Sequence, residues 1–324
     1  MNLKAIACIV GILLLGCTPA LADVKPCPKP ILSECPKPAG MPNEGSTIGL
    51  ILNDDASDYA VALTAGAAEF AGEHKLELRQ VAGSAEVQSA GIDALIADGA
   101  FGFAVQSSEL AALEPAIKRA RDAGLAVVSL DSIIPDELSG LPRVATDDAQ
   151  AGAQAGDEMV KALAGNQGKC MGFVGFLGAA NAQQRIAGFR QAITGKGIEL
   201  VDVRGDDVDF TRARSNVDDV LVANPDINCM VGFYSYNPPR IFEALRDAGK
   251  LGQITVVAFD EDPVTLGAVN DGSFASTIVQ QPNEMGYWSM MLMASQRYGD
   301  TTHAQPLPEL MVPTVVMNKD SAPR

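Results

Sequence analysis

From Thr47 onward the chain alternates short apolar runs with apolar residues at helix spacing, a pattern that leaves few folds open. Residues 47–52, 76–82, 101–105 and 125–130 read as strands. Between them Tyr59, Leu63, Ala67 and Phe70, then Val87, Gly91, Ala94 and Leu95, then Leu110, Leu113 and Ile117, recur on helical faces. The pattern restarts near Asp147 with Ala151, Ala155, Met159 and Leu163, followed by strands at 170–176, 198–203, 229–233 and 254–259. Strands alternating with helices make parallel sheets, so the expected fold class is α/β, with two doubly wound parallel-sheet lobes.

In open sheets of this kind, ligands sit beyond the carboxyl ends of the strands. Asp260 ends one apolar run and Gln280 ends the next, twenty residues on. Both side chains are therefore directed at a crevice, and a cleft between two lobes is a common ligand site.

Composition excludes several alternatives. With 24 Lys and Arg against 40 Asp and Glu, the formal net charge is -16, which opposes nucleic acid and anionic membrane surfaces. The only histidines are His74 and His303, and no HExxH or CxxC pair occurs, so no metal or cofactor is expected. Neither a GxSxG elbow nor a P-loop is present; the chain reads as a binding protein, not an enzyme.

Residues 1–22 read as a signal peptide: Lys4 precedes an apolar stretch to Gly16 that is too short to span a bilayer. Two cleavage readings compete. Leu14-Leu15-Gly16-Cys17 resembles a bacterial lipobox, with lipidation at Cys17, whereas Ala20-Leu21-Ala22 suits ordinary cleavage before Asp23. Localisation is thus expected in the periplasm, lipid-anchored in the first case. Residues 23–45 carry Cys27-Pro28-Lys29-Pro30 and Cys35-Pro36-Lys37-Pro38, a proline-rich tether whose cysteines suit a small disulfide loop. Cys170 and Cys229 open strands that should be neighbours. A disulfide and two buried thiols both remain open there.

Several stretches resemble the type I periplasmic solute-binding proteins of the ribose-binding family: Thr47-Ile48-Gly49-Leu50, Val127-Val128-Ser129-Leu130-Asp131, Thr146-Asp147-Asp148-Ala149-Gln150-Ala151-Gly152, Arg185-Ile186-Ala187-Gly188-Phe189, Val208-Asp209-Phe210, and Val257-Ala258-Phe259-Asp260 running to Val279-Gln280. The resemblance implies lobes joined by a three-segment hinge. The first comprises 46–145 plus 281–309, including a returning final helix, and the second 146–280 plus 310–318, including the last strand. It also implies a monomer that captures a small sugar or polyol and delivers it to an ABC importer permease. A periplasmic ligand sensor for a chemoreceptor or histidine kinase is the alternative, and a nucleoside is a further ligand class.

Carried onto this chain, the family's site comprises Tyr59 as an aromatic platform, Gln106, Asp131, Arg185, Phe210, Asn237, Asp260 and Gln280. Such groups suit a polyol, whose C–H faces pack on rings and whose hydroxyls donate to carboxylates and accept from Arg or amides. Blander roles compete with each. Asp131 and Asp260 suit helix caps, Asn237 a turn before Pro238-Pro239, Tyr59 and Phe210 core positions, and Arg185 a solvated helix face. Trp288, among Met290, Met291 and Met293, reads as core. The chain departs from the ribose binders at Ser132, where they carry Arg, and at Ala60, where they carry a second ring. A roomier or less polar site is expected.

Overall fold

A computed structural model of the chain describes residues 42–132, 134–297 and 309–322. Residues 1–41, with the expected leader, the lipobox Cys17, most of the tether, and Cys27 and Cys35, lie outside the described residues. No helix among the described residues is long and apolar enough to cross a membrane.

The chain runs β1 (Thr47–Leu52), α1 (Asp58–Glu73), β2 (Glu77–Ala82), α2 (Ala85–Ala97), β3 (Gly102–Val105), α3 (Glu114–Asp122), β4 (Ala126–Leu130) and β5 (Arg143–Thr146). It continues through α4 (Asp148–Leu163), β6 (Gly168–Val174), α5 (Ala180–Ile193), β7 (Ile198–Gly205), α6 (Phe210–Ala223), β8 (Cys229–Gly232), α7 (Asn237–Asp247), β9 (Thr255–Phe259) and α8 (Pro263–Asp271). It ends with β10 (Ser276–Val279), α9 (Pro282–Arg297), β11 (Leu310–Val312) and β12 (Val315–Asn318).

Two six-stranded sheets result, ordered β11-β5-β4-β3-β1-β2 and β12-β10-β9-β8-β6-β7. Every pairing is parallel except β10 with β12. Central strands are buried on both faces, as parallel sheets covered by helices require: all of β4 is buried, and β9 is buried from Val256. The expected α/β class with two parallel-sheet lobes is what the structure contains.

The last strand differs from expectation. Residues 310–318 do not form one strand of the second lobe: β11 pairs with β5 in the first sheet, and β12 with β10 in the second. Pro313 lies between them and has no N–H to continue a ladder, so the chain leaves one sheet there and enters the other. The chain also passes between sheets after Thr146 and after Val279. Thr146 Oγ1 donates to Gln280 Oε1 at 3.1 Å, tying two of these passages together, and Gln281 Nε2 donates to the Pro313 carbonyl at 2.5 Å. Helix α9 returns to the first sheet, packing on α1 and behind β3, β4 and β5. In α2 the buried stripe is Gln88, Gly91, Ile92 and Leu95, one position on from the Val87 and Ala94 face expected. Gln88 turns inward because its Nε2 donates to the Leu52 carbonyl at 2.8 Å.

Paired glycines set how closely the helices approach. A Cβ on Gly66 of α1 would lie 1.8 Å from Asn283 O on α9, and one on Gly286 2.0 Å from Leu63 O. The second lobe repeats the device, with a Cβ on Gly152 of α4 falling 2.0 Å from Arg185 O and one on Gly188 of α5 falling 2.0 Å from Ala149 O. Backbone touches backbone, and a methyl group has nowhere to go. Gly188→Ala is expected to destabilise the fold by about 1–3 kcal/mol and to weaken ligand binding by displacing Arg185, measured by urea denaturation and calorimetry.

Cys170 and Cys229 face each other on β6 and β8 and form a disulfide, with Cα atoms 4.4 Å apart. Both are fully buried in the core beside Met159, Val231 and Phe233. The bond closes a loop across a sequence separation of 59 residues. Reduction, or the Cys170→Ala/Cys229→Ala pair, is expected to lower stability by roughly 2–4 kcal/mol with the native circular dichroism spectrum retained. An unchanged melting temperature would show that the bond adds nothing.

Candidate functional site

Asp131 and Asp260 occupy matching places, one residue past the ends of β4 and β9. Each has a left-handed backbone, with φ of 49° and 64°. Short polar side chains tolerate that conformation better than most. Neither carboxylate caps a helix: α8 is capped by Asp262, which accepts from Val264 N, and Asp131 enters an irregular turn. Asp131 Oδ2 instead accepts from Tyr59 Oη at 2.7 Å, and Asp260 Oδ1 accepts from Gln280 Nε2 at 3.0 Å.

These groups line a cavity of about 410 Å³ together with Arg185 and Asn181 on α5, Tyr234, Ser235 and Tyr236 after β8, and Ser57, Asp58 and Ala62 at the start of α1. Glu261, Asp262, Val279 and Pro282 complete the wall. Both lobes contribute, at the carboxyl ends of their strands and the first turns of the helices that follow.

Arg185 is almost fully buried. Its Nε donates to Asp148 Oδ1 at 2.7 Å and its Nη1 to the Phe233 carbonyl at 2.8 Å, while the guanidinium lies 4.9 Å from the Phe259 ring centroid and 5.8 Å from that of Tyr234. Locked in this way, it presents its remaining N–H groups to the cavity without loss of side-chain freedom on binding. Asn181 lies one turn before it on the same helix face and accepts from Tyr234 Oη at 2.9 Å, which orients that ring.

Burial in this setting disfavours negative charge. The Asp131 carboxyl is pushed up to about 6, chiefly by desolvation and further by the Asp148 charge, against the Tyr59 hydrogen bond and the nearby Arg185 and Arg143. Desolvation also raises Asp260, opposed by Arg185 and by Gln280. Tyr59 is raised by burial and by Asp131, so its phenol stays protonated and remains the donor.

Tyr59, Asp131, Arg185, Asp260 and Gln280 thus meet at one cavity, whereas Gln106, Asn237 and Phe210 do not line it. Gln106 Oε1 accepts from Asn53 N at 3.1 Å, a bond between the ends of β3 and β1. Asn237 is buried, with Nδ2 donating to Asp206 Oδ2 at 2.8 Å and Oδ1 accepting from Tyr234 N at 3.1 Å. It holds the turn that carries the tyrosines. Phe210, 52% exposed, rests on Tyr236 with ring centroids 4.8 Å apart, at the rim. The apolar ring has a partner there, and Tyr236, not Phe210, lines the cavity. Trp288 is buried on α9, with Nε1 donating to Glu284 Oε2 at 3.2 Å.

At the two departures, Ser132 and Ala60 are both buried away from the cavity, and Ser132 Oγ accepts from Ser107 N at 2.7 Å and donates to Leu130 O at 3.0 Å. Rings on the opposite lobe, Tyr234 and Tyr236, supply aromatic wall in place of a second ring on α1. No group of histidine, cysteine and acidic residues suited to a metal ion occurs among the described residues.

Two parallel-sheet lobes sharing a cavity at their strand ends define a type I periplasmic solute-binding protein. The chain belongs to the family of the periplasmic binding protein domain, whose model matches residues 48–301. It is 24% identical over 249 residues to the D-ribose/D-allose-binding protein of Pseudomonas aeruginosa, covering 73% of this chain and 77% of that one. Over 243 residues it is 27% identical to the ribose import binding protein RbsB of Escherichia coli, covering 74% and 81%. Among solved structures, an ABC transporter solute-binding protein of Burkholderia graminis in complex with D-arabinose superposes with a TM-score of 0.74 at 27% identity, over 86% of this chain and 97% of the other.

Because Asp131 binds its proton more tightly in the folded protein than in the unfolded chain, its contribution to stability is greatest below about pH 4 and is lost as pH rises through about 6. Asp131→Asn is therefore expected to flatten the fall in apo stability between pH 4 and 7, by up to roughly 3 kcal/mol, in urea titrations across that range. Parallel wild-type and variant profiles would remove the perturbed group.

Proposed function

We propose that the protein is the substrate-binding component of an ABC importer and captures a small sugar or polyol in its interlobe cavity. The observation that carries this reading is the convergence of Asp131 and Tyr59 from one lobe with Asp260 and Arg185 from the other on a single cavity. Carboxylates accept from hydroxyls, the Arg185 fork donates to them, and the rings of Tyr59, Tyr234 and Tyr236 offer faces to C–H groups. Relatives named for ribose and allose binding, and a solved relative holding D-arabinose, support a small monosaccharide-sized guest. Gln280 spans Asp260 and Thr146, so it joins the ligand site to the passages between the lobes. A ligand touching both lobes favours the closed arrangement by its differential affinity, and the closed form is what a permease would receive. Covalent chemistry has no part in this scheme.

We further propose residence in the periplasm, with the lipobox at Cys17 as the anchor and the proline-rich segment as spacer. Globomycin treatment of expressing cells should accumulate a precursor, and normal maturation would favour cleavage after Ala22 instead.

A thermal-shift screen of pentoses, hexoses and polyols tests the ligand class. At least one is expected to stabilise the wild-type protein, and Asp260→Ala to abolish that stabilisation while the apo melting transition stays cooperative. Binding unchanged in the variant would remove Asp260 from the site.

A further inference from the structure

The charges around the cavity do not balance. Among the described residues Arg185 is the one cation in the lining, and its partner is already chosen: Asp148, at 2.7 Å and as deeply buried. That pair is neutral by itself. Arg143, which acts electrostatically on Asp131 from β5, donates through Nε to the Ser132 carbonyl at 2.9 Å and pairs through Nη1 with Glu309. Ser132, beside Asp131, is uncharged. Asp131 and Asp260 therefore face the cavity with no ion-pair partner among the described residues. Each also keeps one oxygen, Oδ1 of Asp131 and Oδ2 of Asp260, to which nothing among the described residues donates. Asp58, Glu261 and Asp262 add further negative charge to the wall.

The wall holds the other element that a cation needs. Tyr59, Tyr234 and Tyr236 line the same cavity, two of them with hydroxyls committed to Asp131 and Asn181 and the third donating to Asp206 at 2.5 Å. With the hydroxyls held, the rings are fixed, and their faces attract an ammonium group.

We propose that the preferred guest of this cavity is a polyol bearing a protonated amine, an amino sugar or a cyclic polyhydroxylated amine, with its cationic nitrogen between Asp131 and Asp260. The inference rests on the polyol reading above and narrows it. A neutral sugar offers hydroxyl donors to both carboxylates but leaves two negative charges confined in a closed, poorly solvated space. An ammonium supplies up to three donors and a compensating charge together. Both carboxyls are raised chiefly by burial away from water, with Arg185 opposing the shift, so a guest that brings its own positive charge offsets the same penalty on their charged forms.

The test uses matched pairs that differ only at one position: D-glucosamine with D-glucose, D-galactosamine with D-galactose, 1,4-dideoxy-1,4-imino-D-ribitol with 1,4-anhydro-D-ribitol, and 1-deoxynojirimycin with 1,5-anhydro-D-glucitol. Calorimetry on the full chain at pH 7 should give, in at least one pair, an amine bound about tenfold or more tighter than its neutral counterpart. Asp131→Asn should cut that preference by about tenfold, read as the ratio of the two affinities within each pair. Near pH 6, titrations in buffers of differing ionisation enthalpy should report proton release when the amine binds, a readout that a purely structural Asp131 would not move. Neutral members binding as tightly as amines in every pair would overturn the inference and leave the polyol reading standing. Failure of every compound to bind would overturn both.

Discussion

The buried ion pair between Arg185 and Asp148 organises the site more than any other contact. Removing either partner would strand a charge in the second lobe's interior, a loss of several kcal/mol in comparable proteins. Its geometry follows from packing: Gly152 and Gly188 let α4 and α5 touch backbone to backbone, which brings Asp148 at the start of one helix against Arg185 on the other. The same pair fixes the electrostatics of the cavity. Since Arg185 is paired from behind with Asp148, the carboxylates of Asp131 and Asp260 have no ion-pair partner of their own among the described residues.

The two lobes solve the placement problem alike. Each directs parallel strands at the cavity, turns the chain through a left-handed aspartate after β4 or β9, and adds side chains from the first two turns of a helix, Tyr59 on α1 or Asn181 and Arg185 on α5. In the proposed function, contacts from both lobes to one guest would make binding and closure a single event. The Thr146–Gln280 and Gln281–Pro313 bonds lie at the points where relative movement of the lobes would be felt.

Much of this was legible in the sequence because parallel sheets announce themselves. Continuous apolar runs marked the buried strands, and the rule that strand ends face the crevice found Asp260 and Gln280, with the family resemblance adding Tyr59, Asp131 and Arg185. Strand β5 escaped notice, being only four residues long after Pro142. The split of 310–318 was signalled by Pro313, whose missing N–H should have weighed more than the apolar run around it. Asn237 and Gln106 are polar groups at strand ends that satisfy backbone and neighbouring side chains instead of a cavity. Pattern alone does not distinguish those fates, since both place an amide near a turn. Tyr234 and Tyr236 were missed although they follow β8 directly, where the strand-end rule applies as it does to Asp260. Asn181 carried its signal too, four residues before Arg185 and so on the same helix face.

The central claim is that both lobes enclose one small hydroxyl-rich guest. Native mass spectrometry of protein purified without added ligand, from cells grown on mixed carbohydrate, reads this directly. The account predicts a one-to-one complex whose released guest is a small polyhydroxylated compound, retained by the wild-type chain and absent from Asp260→Ala. An apolar, phosphorylated or peptidic guest, or one held equally by the variant, would contradict it.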